Sequence, residues 1–322
     1  MAQNKSSRGL PSIAHAREER SQGRFRWTTQ AGLVAASAVV LGLVAHKVVS
    51  ERELRGERAA LLAKERAVAA TLGAEWFPLR DKLETTVLAA AREYAGDFVD
   101  PHARRREYRG QPGLYLRMRV ADAKDIHRVR ATAADARKDE FAACFLREPN
   151  ERGLRGELDG GAFAEQPWNL GRAYEATRIL GDDWSQEVQA IDDDLRLRVF
   201  REQFEKAVRD DIPVAIDVVK RAQFFLLVLD EDVPEAFPLS DGGQMTEAVL
   251  QLVAHPARVQ LFELPGGREI LRARRSVEAR IIPAGERAVV DPEIRDAMQR
   301  QANNCLLATQ IDGELSGPPT VR

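Results

Sequence analysis

Residues 31–49 read AGLVAASAVVLGLVAHKVV, and the placement of this stretch decides how the rest of the chain is laid out. From position 31 to 45 there is no charged side chain, and only Ser37 is polar. A helix needs roughly 20 apolar residues to cross a bilayer, because inside lipid every backbone amide must be satisfied within the segment. The run is at the short end of that range. Lys47 near its end can snorkel to headgroups, and Phe25 and Trp27 precede it where interfacial aromatics belong. A buried core helix would ordinarily keep a polar face, which residues 31–45 lack. A cleaved signal peptide would have an unusually long leader, and Leu43 stands where a small residue is needed for a cut after Ala45. Residues 27–49 are therefore expected to form a retained transmembrane helix, with residues 31–49 in the lipid bilayer.

The leader, residues 1–26, is polar, aperiodic and basic, and reads as a disordered cytoplasmic tail. Its Lys5, Arg8, Arg17, Arg20, Arg24 and Arg26 favour an N-terminus in the cytoplasm and a body outside, periplasmic or extracellular. Arg52, Arg55, Arg58, Lys64 and Arg66 follow close behind the run, so a cytoplasmic body is the alternative. The net charge of −2 hides an asymmetry: residues 1–49 hold seven basic and two acidic side chains, which leaves −7 for residues 50–322. A mildly acidic body argues against a nucleic-acid partner.

Beyond the anchor the fold class expected is α+β, a body of long amphipathic helices and short, mainly antiparallel strands. Residues 50–77 are rich in helix formers, and Leu54, Leu61 and Val68 recur every seven residues. They read as a helical stalk, with coiled-coil self-association or a protein partner along it. Arg58 and Glu65 interrupt the seam such an assembly needs. Pro78 then marks a break. Leu79, Leu83, Val87, Ala90, Tyr94 and Phe98 predict a helix ending near Gly96. Residues 113–120 alternate apolar positions with Tyr115, Arg117 and Arg119, as a half-buried strand does. A helix is expected over 124–146 and a loop over 148–167. Residues 183–212, through Trp184, Val188, Ile191, Leu195, Val199, Phe204, Val208 and Ile212, predict one long helix stopped by Pro213. Gln223 to Leu229 reads as a buried strand, and Pro265-Gly266-Gly267 as a hairpin turn. Asp291-Pro292 opens a last helix, with 311–322 as a C-terminal tail.

An internal echo divides the body at 165/166. Asp135-Ala136 precedes Cys144 at the spacing at which Asp296-Ala297 precedes Cys305, and each follows a strand rich in Arg. This suggests two related halves, 78–165 and 166–310, with the cysteines on equivalent helices. Two cysteines suit one Cys144–Cys305 disulfide in an oxidising compartment, and suit chance equally well.

Candidate chemistry is sparse. His102, His127 and His255 are the histidines beyond the anchor, none near another, and no nucleophile, phosphate-loop or metal motif is present. No catalytic, cofactor-binding or metal residue is assigned. Arg104, Arg105, Arg106 and Arg109 could contact an anion or simply form a solvated loop. Asp192-Asp193-Asp194 splays around a helix, and Asp230-Glu231-Asp232 ends a strand. The function expected is a membrane-anchored, non-catalytic binding or scaffolding body. The alternative is an anchored hydrolase, recognisable by two carboxylates in one cleft with one pKa raised.

Overall fold

The computed structural model describes residues 13–102, 108, 111–136, 139–146, 168–233, 247–280 and 291–316; for 13–39, 168–169 and 247–248 it describes the backbone alone. Helix α1 spans Ile13–Val68 without interruption. It passes through a π-helical turn, Ala69–Gly73, into α2, Ala74–Ala90. Pro78 lies inside α2 and does not break the helix. The wider π turn just before it gives room for a ring that would otherwise press on the preceding turn. The leader is thus helical from Ile13, which corrects the expected disorder of 13–26; Ala14, Ala16, Arg17, Glu18 and Glu19 are helix formers.

The body is built on one six-stranded mixed sheet in the order β1-β6-β5-β4-β2-β3, from β1 (Phe98–Val99), β2 (Gly113–Arg119), β3 (Trp168–Asn169), β4 (Phe224–Asp230), β5 (Pro256–Glu263) and β6 (Arg268–Ser276). β2 runs parallel to β3 and β4, while β4–β5, β5–β6 and β1–β6 are antiparallel. All seven residues of β4 are buried, as its unbroken apolar run requires of a strand covered on both faces. β2 was expected to keep Tyr115 and Arg117 toward solvent. It lies inside the sheet instead, and both are buried.

One face of the sheet is covered by α2, α3 (Ile126–Asp135), α5 (Leu170–Thr177) and α8 (Ile212–Arg221), with α6 (Asp182–Gln189) and α7 (Asp194–Lys206) outside them. The other face is covered by α4 (Glu140–Leu146) and α10 (Pro292–Ser316); α9 is the short Glu247–Leu250. β2 from the first segment pairs with β4 from the second, so the sheet crosses the 165/166 boundary. The two Arg-rich strands of the echo differ in position: β2 is internal, and β6 lies beside the edge strand β1.

Three further expectations are corrected. The helix over 183–212 is broken at 190–193, where the Asp193 side chain caps α7 by accepting from Arg196 N at 2.7 Å. Pro213 does not end it: α7 continues through a π-helical turn, Ala207–Asp211, into α8, and the wider turn accommodates the proline ring as it does before Pro78. Residues 311–316 continue α10, because Ile311 and Leu315 extend the stripe of Leu307 and Ala308 into the core. The stalk is not free-standing: Leu54, Leu61, Leu62, Val68 and Leu72 join the core, and α1 contacts α6 and α7. The seven-residue recurrence is thereby used within the chain.

Toward the N-terminus of α1 the situation reverses. Residues 40–50 are all exposed. Among the described residues no helix is long and apolar enough to cross a membrane, and the first part of the apolar run, 31–39, lies outside the described side chains.

Candidate binding groove and buried polar network

Two arrangements hold polar groups in the body. The first sits where β2 and β4 end. Arg117 grips Asp230 with two hydrogen bonds, Nε to Oδ2 at 2.7 Å and Nη2 to Oδ1 at 2.8 Å, and Asp230 is fully buried. Arg117 Nη1 also donates to Asp139 Oδ2 at 3.0 Å and to Asn304 Oδ1 at 2.7 Å. Tyr115 donates to the same Asp139 oxygen at 2.6 Å, and the other Asp139 oxygen caps α4 by accepting from Ala142 N. Asn304 in turn donates to Glu140 at 3.0 Å and to Gln251 at 3.3 Å. His255, just before β5, closes the set, with Nε2 2.8 Å from Asp230 Oδ1 and Nδ1 3.0 Å from the Val253 carbonyl.

Burial alone would raise the Asp230 pKa, but the Arg117 charge and its hydrogen bonds outweigh burial and hold it at about 2. Burial likewise works against the charged forms of Arg117 and His255, and in both the Asp230 partner wins, leaving their pKa values raised. Chemically it is a lock that joins β2, β4, α4, α10 and the start of β5.

The acidic run after β4 is answered residue by residue. Asp230 pairs with Arg117, Glu231 with Arg258 and Arg274 (2.5 Å each), and Asp232 with Arg119 (2.5 Å). A second buried carboxylate, Glu84 of α2, receives both arms of Arg130 at 2.8 and 2.9 Å and the Tyr174 hydroxyl at 3.1 Å.

The second arrangement is open. α2 runs over β5, where Gln260 donates to the Ala90 carbonyl at 3.5 Å and Lys82 to the Leu264 carbonyl at 2.6 Å. Between α2 and strands β5 and β6 lies a groove of about 370 Å3, into which Arg272, Glu269, Glu93, Thr85, Tyr94 and Phe262 project. Arg272 is three-quarters buried there, yet its Nε is buried with no hydrogen-bond acceptor among the described residues. The Glu269 carboxylate is 3.7 Å from Nη1, beyond hydrogen-bond reach. Burial raises the Glu269 pKa, and Arg272 opposes that rise.

Cys144 on α4 and Cys305 on α10 are joined, with Cα atoms 5.2 Å apart, and this ties together the two helices of the second face. Arg104, Arg105, Arg106 and Arg109 lie outside the described residues. Among the described residues no group of three or more His, Cys, Asp and Glu is arranged to hold a metal ion. Arg117, Asp230, His255 and Arg272 were not singled out as a set from the sequence. The one signal was parity: Arg117 and Arg119 alternate as Asp230 and Asp232 do. Comparison with protein-family models, curated proteins and solved structures returns no match to the chain.

Proposed function

We propose that the protein is a single-pass membrane protein, held through residues 31–49, with a cytoplasmic N-terminus and a non-catalytic binding or scaffolding body on the far side. The observation that carries this reading is the surface of α1 before the body. Val40, Leu41, Leu43, Val44, Val48 and Val49 are between 43% and 68% exposed. At 100° per residue these six spread well beyond the narrow stripe that a partner helix would cover. Left in water, such a surface forgoes about 25 cal/mol for each Å2 of apolar area, and lipid recovers it on every side. The Cys144–Cys305 pairing supports a body in an oxidising compartment.

Topology is tested by fusion reporters after Arg322. An exported-only reporter should be active there and a cytoplasm-only reporter silent; the opposite pair of results would reverse the orientation.

A second reading, the anchored hydrolase, is favoured by one observation: Glu93 and Glu269 line the same groove, and burial raises the Glu269 pKa. The binding reading is the stronger, because Glu93 is exposed and Arg272 beside Glu269 opposes, without overcoming, the rise a general acid needs. Loss of hydrolysis of a chromogenic ester or glycoside on Glu269→Gln, at unchanged stability, would favour the hydrolase instead.

A further inference from the structure

We propose that the groove between α2 and strands β5–β6 binds a small zwitterion, with its carboxylate on Arg272 and its ammonium group between Glu93 and Glu269. The inference rests on the binding-body reading above and gives that body a ligand class. A guanidinium offers five N–H donors in a planar fork matched to a carboxylate. Arg272 is largely withdrawn from water, its Nε has no acceptor among the described residues, and its neighbouring acid stands too far away to bond. Nε itself is closed to solvent, so an incoming carboxylate would pair with the quarter of the Arg272 side chain that stays open to the groove.

The groove's charge selects the rest of the ligand. One guanidinium faces two carboxylates, Glu93 and Glu269, so a simple anion meets net repulsion while a molecule that also carries an ammonium group does not. The Thr85 side chain reaches the same space, and Phe262 and Tyr94 present apolar surface to a side chain. A volume of about 370 Å3 is in the range of small-molecule sites and suits an amino acid or a short peptide end.

The test uses the full chain in detergent or nanodiscs, titrated calorimetrically with each L-amino acid in turn. The one that binds is then compared with the amine and the carboxylate bearing the same side chain. At least one amino acid should saturate with Kd at or below ~1 mM. Removing either charged group should weaken it by about tenfold or more, as should Arg272→Lys, which keeps the charge and loses the fork. Glu93→Gln, at an exposed position, weakens the ammonium half and serves if Arg272→Lys does not fold. The proposal is overturned by no saturable binding of any amino acid, by amine or carboxylate alone binding as tightly, or by affinity unchanged in both variants. The anchor is tested separately. Protein that binds amino acids yet washes off membranes keeps the groove and loses the anchor, and the converse result does the reverse.

Discussion

Arg117 on β2 reaches Asp230, two residues further along the neighbouring parallel strand β4 than its register partner Val228, and the two meet through hydrogen bonds of 2.7 and 2.8 Å at a fully buried carboxylate. A buried pair of this kind adds little over a well-packed apolar pair, but removing one member strands the other charge. Asp230→Ala is therefore expected to cost about 3–5 kcal/mol, measured by urea denaturation. Replacing both residues with apolar side chains of similar volume should cost much less than the two single changes together. Equal and additive losses would contradict the coupling.

His255 adds a pH dependence. The Val253 carbonyl and the ionised Asp230 carboxylate can only accept, so both ring nitrogens must donate, and the imidazolium alone satisfies both contacts. The folded pKa lies above the ordinary 6.5. The stabilisation is thus fully present below about 6.5 and is lost as pH rises through the folded value. The denaturation midpoint should fall over that window, and His255→Gln should flatten the fall. For Asp230 the sign is opposite: its contribution is present above its ordinary 3.8 and is lost as pH falls through about 2.

Gly113 opens β2 where the ring of Phe224 on β4 lies against its Cα, and an added Cβ would fall within that ring. Gly113 is the register partner of Phe224, so the buried ring must swing aside to admit a Cβ. Gly113→Ala should destabilise the fold by about 1–3 kcal/mol, and a paired Phe224→Leu should recover part of the loss. Thermal denaturation of the three variants decides it.

The Cys144–Cys305 link closes a loop of 161 residues, which the chain-entropy model values at about 5 kcal/mol. Protein purified from the envelope should show no reactive thiol before reduction, and reduction should lower the thermal midpoint by several degrees. Two freely alkylated cysteines in protein trapped in the cell would place the body in a reducing compartment.

The hairpin of α6 and α7 points its turn toward the apolar run of α1. Arg58 donates to the Gln189 carbonyl at 2.8 Å, and α7 then returns along α1, with Arg201 at Glu57 (2.5 Å) and Glu205 at Lys64 (3.9 Å). Residues 190–195 therefore lie nearest Val49, with Leu195 71% exposed. A spin label at Leu195 in nanodiscs should register lipid-borne relaxation agents, and one at Gly266, in the β5–β6 turn, should not.

Much of the fold was legible because single strong signals carried it. The run at Phe224–Asp230 could satisfy its backbone and side chains only as a covered strand, and Pro265-Gly266-Gly267 turns the chain between β5 and β6. The break at 190–193 was hidden because Ile191, Leu195 and Val199 keep helical phase across it, although Leu195 and Val199 are exposed. Asp193 was the signal that mattered, read as surface charge when it is a cap. Arg117 looked solvent-facing because alternation cannot tell a half-exposed strand from one buried over a charged partner far away in sequence. Arg272 was equally invisible, since a guanidinium whose Nε has no acceptor among the described residues is defined by what surrounds it in space.

The most direct test of the central claim is the fate of the full-length polypeptide after cells are broken and membranes washed in alkaline carbonate without detergent. With residues 31–49 in lipid, the protein stays in the membrane pellet, and replacing Val40, Leu41, Leu43 and Val44 together with glutamine releases it. Wild-type, full-length protein recovered in the supernatant would contradict it.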